Sequence, residues 1–396
     1  MVVVLGYQLY DLARGSYGMS IAQSAFQLGL LGLVQFLPMV LLTPVAGVVA
    51  DRFDRKYVAI AANLIDLLVI LALALATQNH ALSLPLLFAL GALHGTARVF
   101  IGPAMSAITP NIVPAPLLPR AIAIGSMAWQ AGAVLGPAAA GFLYAGGASL
   151  PYWSAAALLC VAIIALSTIR KVPPPAGNRH EQPVAQMREG LRFVWSQHFL
   201  LGCVSLDLFA VILGGATALL PVFARDILMI DGAPVGAHGL GLMRAAPAVG
   251  ASLVALMLAR WPIAKNVGVK MLWSVAAYGL ATLAFGLSSN FHLSLLLLLA
   301  LGAADMVSVF IRSTLIQLNT PDAMRGRVSS ISGLAISASN ELGEMESGLA
   351  AALLGATGAV VLGGVGAIII TAIWAWKFPE IRRARTFSAH YHKEPE

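Results

Sequence analysis

Long apolar segments separated by short polar loops occupy almost the whole chain. A helix needs about 20 apolar residues to cross a bilayer, and a stub too short to cross alone lies at 1–12. With the stub counted as span 1, the predicted spans 2 to 12 are 23–50, 57–78, 81–108, 121–146, 148–169, 198–224, 236–260, 267–288, 291–318, 327–356 and 358–378. Loops this short favour helices over a closed barrel. We therefore expect an all-α membrane protein.

Composition supports the same class. Of the 396 residues, 59% are hydrophobic and 10% are charged, whereas a soluble domain carries roughly 25% charged residues. The net charge of +7 sits in short loops between apolar segments, which argues against nucleic-acid binding. Cys160 and Cys203 lie inside apolar segments and lack the spacing of a disulfide framework or a metal site.

Basic residues are concentrated in every second loop along the chain. Most Lys and Arg lie in the loops around 52–56, 120, 170–192, 260–270 and 325–327 and in the C-terminal tail. The loops 78–81, 146–148, 288–291 and 356–358 contain none. By the positive-inside rule, the first set is cytoplasmic and so is the C-terminus.

A weak internal repeat crosses the middle of the chain. Residues 99–101 recur at 309–311, and Thr109-Pro110 recurs as Thr320-Pro321, with nearly one offset. Such repeats are typical of transporters with a midplane site. The predicted domains are an N-terminal six-helix bundle at 1–169, a cytoplasmic linker at 170–197, a C-terminal six-helix bundle at 198–378 and a cytoplasmic tail at 379–396. The repeat would start span 1 before Met1, so we expect that span to be truncated at its cytoplasmic end.

The linker is the one long polar segment. Three consecutive prolines at 173–175 prevent a helix at its start. Met187, Leu191 and Val194 then recur at helical spacing between charged residues. This pattern predicts an interfacial helix, and the alternative is a flexible tether.

A short segment rich in charged residues separates spans 2 and 3. A charge at mid-bilayer costs roughly 2.5–3.5 kcal/mol, so this segment must lie at a membrane face. It contains Gly47, Asp51, Arg52, Arg55 and Lys56 in the order G-x-x-x-D-R-x-x-R-K. The pattern resembles the loop between spans 2 and 3 of the major facilitator superfamily. That resemblance implies that Asp51 joins the two halves near the start of span 11 and controls the access state; the alternative is a topology signal only.

Two further motifs resemble the same family. Span 5 contains Gly132, Gly136, Pro137 and Gly141; glycines four apart favour close helix crossings, and proline bends a helix. This is similar to the span 5 signature of drug and proton antiporters, although ordinary small-residue packing is an alternative. In span 4, Arg98 lies in a segment similar to the family's R-x-x-Q-G pattern, with Ile101 in place of the glutamine.

Several ionisable residues fall within predicted spans and are candidates for proton coupling or for lining the cavity. Arg98 is one, because an arginine among apolar residues must face a cavity or a carboxylate. Asp305 and Arg312 are seven residues apart on one helix face, and we expect them to interact through a third group. Glu341 and Glu344 share a face, where repulsion favours a proton on one of them. The other acids are Asp66, Asp207 and Glu346. A structural polar network is the alternative role.

Longer stretches extend the resemblance over nearly the whole chain. Residues 206–211, 219–226, 304–308, 320–328 and 340–344 are similar to the drug and siderophore exporter branch that contains the enterobactin exporter and macrolide efflux proteins. This implies two six-helix bundles with 12 spans and a cavity lined by spans 1, 4, 7 and 10. It also implies proton-coupled export of an amphipathic siderophore or drug across the bacterial inner membrane, by a monomer.

Other functions remain open or are disfavoured. A solute importer of the same fold and a membrane sensor without transport are the alternatives. A membrane enzyme is disfavoured, because no nucleophile–base set is evident. We predict no cofactor: a Walker lysine motif is absent, and Gly239-Leu-Gly241 opens an apolar span without a preceding strand. The expected partners are the lipid bilayer, the small-molecule substrate and protons, with no metal and no nucleic acid.

Overall fold

The computed structural model describes residues 2–114, 117–170 and 183–388. For a few helical residues within these ranges, Gly47 and Asp51 among them, only the backbone is described. The helices are α1 (Val2–Gly15), α2 (Ile21–Arg52), α3 (Arg55–Gln78), α4 (Leu84–Ile112), α5 (Leu118–Gly146), α6 (Leu150–Thr168), α7 (Pro183–Ser196), α8 (His198–Leu213), α9 (Leu220–Val222), α10 (Gly236–Arg260), α11 (Val267–Leu287), α12 (Phe291–Leu318), α13 (Asp322–Lys377) and α14 (Pro379–Arg383).

The predicted all-α membrane architecture is confirmed. Nine helical segments of the described chain are long and apolar enough to cross a membrane. Polar caps start some of them: the Asp54 carboxylate accepts a hydrogen bond from the Lys56 amide at 3.0 Å, and Asn290 caps α12 through the Leu293 amide. Such caps satisfy backbone donors at a helix start, so the charged 51–56 segment also sets where α3 begins.

The predicted span 198–224 is not one continuous helix. α8 ends at Leu213 and is followed by a 3₁₀-helix (Ala216–Leu219), α9 and a π-helical turn (Phe223–Ile227). Gly215 lies so close to α13 that a Cβ there would be 2.5 Å from the Ser347 hydroxyl. The predicted span itself is confirmed, since His198–Ile227 is long and apolar enough to cross a membrane, but its helix is interrupted at Gly214 and Gly215.

A very short hairpin follows this interrupted span. Strand β1 (Met229–Ile230) pairs antiparallel with β2 (Ala233–Pro234), with Met229 opposite Pro234. Asp231 and Gly232 form the turn with φ of 50° and 79°. Positive φ is typical of tight hairpin turns.

The last two predicted spans lie within α13, a helical segment of 56 residues. Gly355 interrupts it with φ 74° and ψ 164°, a conformation that glycine adopts without steric cost. The break falls one residue before the loop expected at 356–358, so the apolar pattern located it closely.

The chain forms two compact units. The N-terminal unit comprises Met1–Ser20, Leu30–Pro183 and Gly236–Leu242, and the C-terminal unit comprises Ile21–Gly29, Val184–Val235 and Met243–Glu396. Within the first, α3 packs against α4 and α6. Within the second, α13 packs against α8 and α11, and α11 packs against α12. The candidate site lies among these four helices.

The linker helix and the start of the tail belong to the C-terminal unit. Val194 of α7 is buried in its core, whereas Leu191, expected on the same apolar face, is 45% exposed. The first residues of the predicted tail pack against the C-terminal unit, since Ile381 and Ala384 are fully buried. The Gly268 amide donates a hydrogen bond to the Ala384 carbonyl at 2.9 Å.

Candidate functional site

An ion pair joins α8 to α12 inside the C-terminal unit. The Arg312 guanidinium contacts the Asp207 carboxylate, and both side chains are almost entirely buried. Asp207 lies on the buried stripe of α8 with Cys203, Leu206 and Ala210. Hydrophobic packing therefore holds this carboxylate inward, where a charge needs a partner.

Asp207 lines two small cavities, one on each side of the ion pair. The first has a volume of about 10 Å³ and is also lined by Tyr278, Asp305 and Ser308. The second also has a volume of about 10 Å³ and is lined by Arg312 and Ser332. Asp207 thus contacts Arg312 and lines the first cavity together with Asp305; the expected interaction of Asp305 with Arg312 through a third group stays a prediction.

Tyr278 connects this cluster to the interruption of span 7. Its hydroxyl donates a hydrogen bond to the Gly214 carbonyl at 3.0 Å, and Tyr278 lines the first cavity together with Asp305. The same carbonyl also accepts a hydrogen bond from the Ala216 amide at 2.7 Å. Tyr278 was not singled out from the sequence, since a tyrosine within an apolar span carries no distinctive pattern.

The glutamates of α13 lie in the same unit. Glu341, Glu344 and Glu346 are all partly buried. Glu344 interacts electrostatically with Arg244 of α10, which the sequence analysis did not consider as a site residue. The repulsion between Glu341 and Glu344 that their spacing suggested stays a prediction.

The N-terminal unit contains a second polar pair. His94 Nδ1 of α4 lies 2.6 Å from Asp66 Oδ1 of α3, and both side chains are largely buried. Asp66, one of the candidate acids in the predicted spans, therefore has a histidine of the next helix as its partner. His94 was missed, although it and Asp66 lie at similar distances from the loop that joins their two helices.

Another buried network in this unit was also missed. The Tyr152 hydroxyl donates to Gln8 Oε1 at 2.7 Å, and Gln8 Nε2 donates to the Thr77 hydroxyl at 3.4 Å. These contacts join α1, α3 and α6. They satisfy the polar groups that the three helices bury, as membrane helices require.

The charged motif after span 2 is only partly described. Gly47 and Asp51 lie in the last turns of α2, where only their backbone is described. The contact expected for Asp51 therefore stays a prediction. Arg52 is exposed and Arg55 is partly buried. Lys56 Nζ donates to the carbonyls of Ser167 and Ile169 at 2.7 and 2.5 Å, which joins α3 to the end of α6.

The glycines of span 5 differ in their surroundings. No atom of the described residues lies within 4 Å of the Cβ position of Gly132 or Gly136. Gly141 crosses α10 closely: a Cβ there would be 2.7 Å from the Ala237 carbonyl oxygen, and one at Gly241 would be 2.7 Å from that of Pro137. The close approach of helices thus occurs at the end of the motif.

Arg98 stands apart from these pairs. It is exposed on α4, one helical turn after His94. Among the described residues, no group of three or more His, Cys, Asp or Glu is placed to hold a metal ion.

The charges of the C-terminal cluster suit proton binding. Asp207 and Asp305 contribute two carboxylates and Arg312 contributes one guanidinium, so one proton makes the set neutral. Net charge is costly within apolar helices. Binding or loss of one proton therefore changes which contacts among the three residues are favourable.

Comparison with known proteins identifies the family of the chain. The sequence matches the Major Facilitator Superfamily over residues 3–344. It is 30% identical to the enterobactin exporter EntS of Escherichia coli O1:K1 over 317 residues, which cover 80% of this chain and 73% of the relative.

Solved structures of low sequence identity share the fold. A D-xylose–proton symporter has a TM-score of 0.70 at 15% identity and covers 95% of this chain and 96% of its own. A bacterial homologue of the human lysosomal transporter Spinster has a TM-score of 0.69 at 16% identity, covering 100% and 97%. The chain therefore belongs to the Major Facilitator Superfamily of membrane transporters.

Proposed function

We propose that this chain is a secondary active transporter of the bacterial inner membrane that exports an amphipathic small molecule, a siderophore or a drug, in exchange for protons. The observation that carries the proposal is the buried Asp207–Arg312 pair with Asp305 beside it. The 30% identity to an enterobactin exporter supports export and favours a siderophore-like substrate.

The ion pair supplies a physical route to coupling. A proton on Asp207 removes the partner of Arg312, and an uncompensated buried charge costs several kcal/mol. Arg312 then requires another acceptor, and Asp305 lies beside the pair. A substrate group that donates hydrogen bonds to Asp207 needs the unprotonated carboxylate, so proton and substrate compete for Asp207, which is the relationship that an antiporter needs.

The available energy is sufficient for this role. One charge crossing 100 mV supplies about 2.3 kcal/mol, which supports a substrate gradient on the order of 50-fold. Alternating access of the two six-helix bundles would present the site to each side in turn. The loop charges support a cytoplasmic C-terminus, and we expect a monomer.

An importer of the same fold is the main alternative, since a D-xylose–proton symporter shares the architecture. A membrane sensor without transport is the second. Direction of flux separates the first alternative from export, and any flux at all excludes the second.

The test is transport by the purified full chain in sealed liposomes under an imposed pH difference. Enterobactin and a macrolide serve as probe substrates. We expect movement of a probe against its own gradient, opposite to proton movement, and collapse of that movement when the pH difference is dissipated. Flux in the direction of proton movement would indicate an importer, and flux independent of the pH difference would exclude proton coupling.

Asp231→Asn is a matched control for substitutions of the buried carboxylates. Asp231 is exposed in the hairpin turn with φ 50°, and asparagine tolerates this conformation well. The same chemical change at Asp207 should abolish coupled transport while the control retains it.

A further inference from the structure

One face of the linker helix α7 is exposed and combines basic with apolar side chains. Arg188, Leu191, Arg192 and Trp195 are exposed, with exposed fractions of 45% for Leu191 and 68% for Trp195. At 3.6 residues per turn these four residues lie within an arc of about 100°. We call this set the α7 face.

The opposite side of α7 is fixed against the C-terminal unit. Gly190 lies against α13, where a Cβ would be 3.1 Å from the Arg327 carbonyl oxygen. Glu189 Oε1 pairs with Arg327 Nη1 at 2.7 Å, and Val194 is 2% exposed. The helix therefore cannot rotate to bury its exposed face in the protein.

Chain connectivity holds α7 at the membrane surface. Only Gln197 separates Ser196, the end of α7, from His198, the start of an apolar span. Gln197 is extended, with φ −106° and ψ 99°, so the chain changes direction there. The α7 face thus lies at the level where lipid headgroups begin, on the side that the loop charges assign to the cytoplasm.

The start of the C-terminal tail adds a second basic element at the same end. His198 Nδ1 lies 3.3 Å from Glu380 Oε2 of α14, which places α14 beside the start of α8. Ile381 anchors α14 in the core with no exposure. Arg382, Arg383 and Arg385 remain exposed.

We propose that the α7 face, together with Arg382, Arg383 and Arg385, binds the phosphate headgroups of anionic phospholipids. Arginine forks match phosphate oxygens, and an exposed Trp and Leu next to arginines suit the boundary between headgroups and acyl chains. A soluble polyanion would match the arginines but would leave Leu191 and Trp195 in water. The lipid therefore accounts for all four residues of the α7 face.

The test needs no transport substrate. The full chain is reconstituted in nanodiscs of phosphatidylcholine with increasing fractions of phosphatidylglycerol, and bound lipid is counted by native mass spectrometry. We expect preferential retention of phosphatidylglycerol. Arg188→Gln with Arg192→Gln should weaken this retention by on the order of tenfold, since basic residues near an anionic surface each contribute substantially.

Lys265→Gln with Lys270→Gln is the matched control. Both lysines are exposed on the same predicted side of the membrane, outside α7 and α14, and the change removes the same number of charges. Retention in this variant should stay within a few-fold of the original chain. Equal loss in both double variants would reduce the effect to general surface charge and overturn the proposal.

Tryptophan quenching tests the apolar half of the α7 face. Lipids brominated near the headgroup should quench the emission of Trp195, measured as the difference between the original chain and Trp195→Phe. Absence of quenching would place Trp195 in water and overturn the proposal. Displacement of bound phosphatidylglycerol by an acidic peptide or RNA at physiological salt would likewise overturn it in favour of a soluble partner.

Discussion

Arg312 of α12 forms its ion pair with Asp207 of α8, and not with Asp305 two turns earlier on its own helix. The pair joins two helices that are far apart in the sequence and close within the C-terminal unit. Removing one partner should have a different effect from removing both.

Asp207→Asn should both destabilise the protein and abolish transport. It leaves the Arg312 charge buried without its partner, and breaking such a pair costs about 3–5 kcal/mol. The double variant Asp207→Asn with Arg312→Gln should recover most of the stability but none of the coupled flux. Thermal unfolding in detergent and flux in liposomes check the two effects separately. Recovery of coupled flux in the double variant would refute the role of this pair.

Asp305→Asn should leave stability nearly unchanged and remove the pH dependence of flux. Asp305 lines the first cavity beside Asp207, and it has no ion pair to lose among the described contacts. The neutral amide keeps the size of the side chain but cannot take up a proton. The measurement is flux at a series of pH values on both sides of the membrane. An unchanged pH profile would exclude Asp305 as part of the proton site.

Asp51→Asn should insert normally and transport poorly. The charged loop after span 2 would keep its basic residues, so topology should not change. Loss of the acceptor is expected to disturb the balance between the two access states. Membrane yield and liposome flux are compared with the original chain. Undiminished flux would leave Asp51 with a role in topology only.

Gly348→Val should destabilise the C-terminal unit. A Cβ at Gly348 would lie 2.5 Å from the Cα of Gly29 and 2.8 Å from its amide nitrogen, so the helices would have to separate. Overpacking of this kind costs about 1–3 kcal/mol. Gly333→Val on the same helix α13 is the control, since nothing lies within 4 Å of its Cβ position. The melting temperature should fall for the first variant and change little for the second.

His94 and Asp66 should show energetic coupling. Their side chains approach to 2.6 Å, and residues in direct contact typically give interaction energies of about 0.5–3 kcal/mol in a double-mutant cycle. The cycle uses His94→Gln, Asp66→Asn and the double variant, with unfolding free energies as the measurement. Additive effects would mean that the contact contributes nothing to stability.

Most of the helices could be predicted, because runs of about 20 apolar residues have few alternatives in a membrane. The break at Gly355 was also predictable, since small residues without charge separated two such runs. The end of α8 at Leu213 was not, although Gly214-Gly215 and Leu220-Pro221 are visible in the sequence. An uninterrupted apolar run does not reveal a change of helix type. The apolar pattern reflects burial in the membrane, whereas the local helix geometry depends on contacts with neighbouring helices.

The candidate site shows the same division. The sequence placed Asp305 and Arg312 on one face and named Asp207 as a candidate. It could not pair Asp207 with Arg312, because the approach of α8 to α12 is a tertiary contact. The contact between His94 and Asp66 was easier to predict from the sequence than the pair of Asp207 and Arg312. His94 and Asp66 lie on consecutive helices joined by a short loop, and antiparallel packing of α3 and α4 brings such positions level with each other.

The interruption at Gly214 has a mechanical consequence for the span that carries Asp207. A continuous helix moves as a rigid rod, so tilting its outer end would also displace the carboxylate. Here the last part of the span, from Ala216 to Ile227, is joined to α8 through two residues without side chains, Gly214 and Gly215. Because the rod ends at Leu213, a displacement of the outer segment is not transmitted along a continuous helix to Asp207 and its partner Arg312.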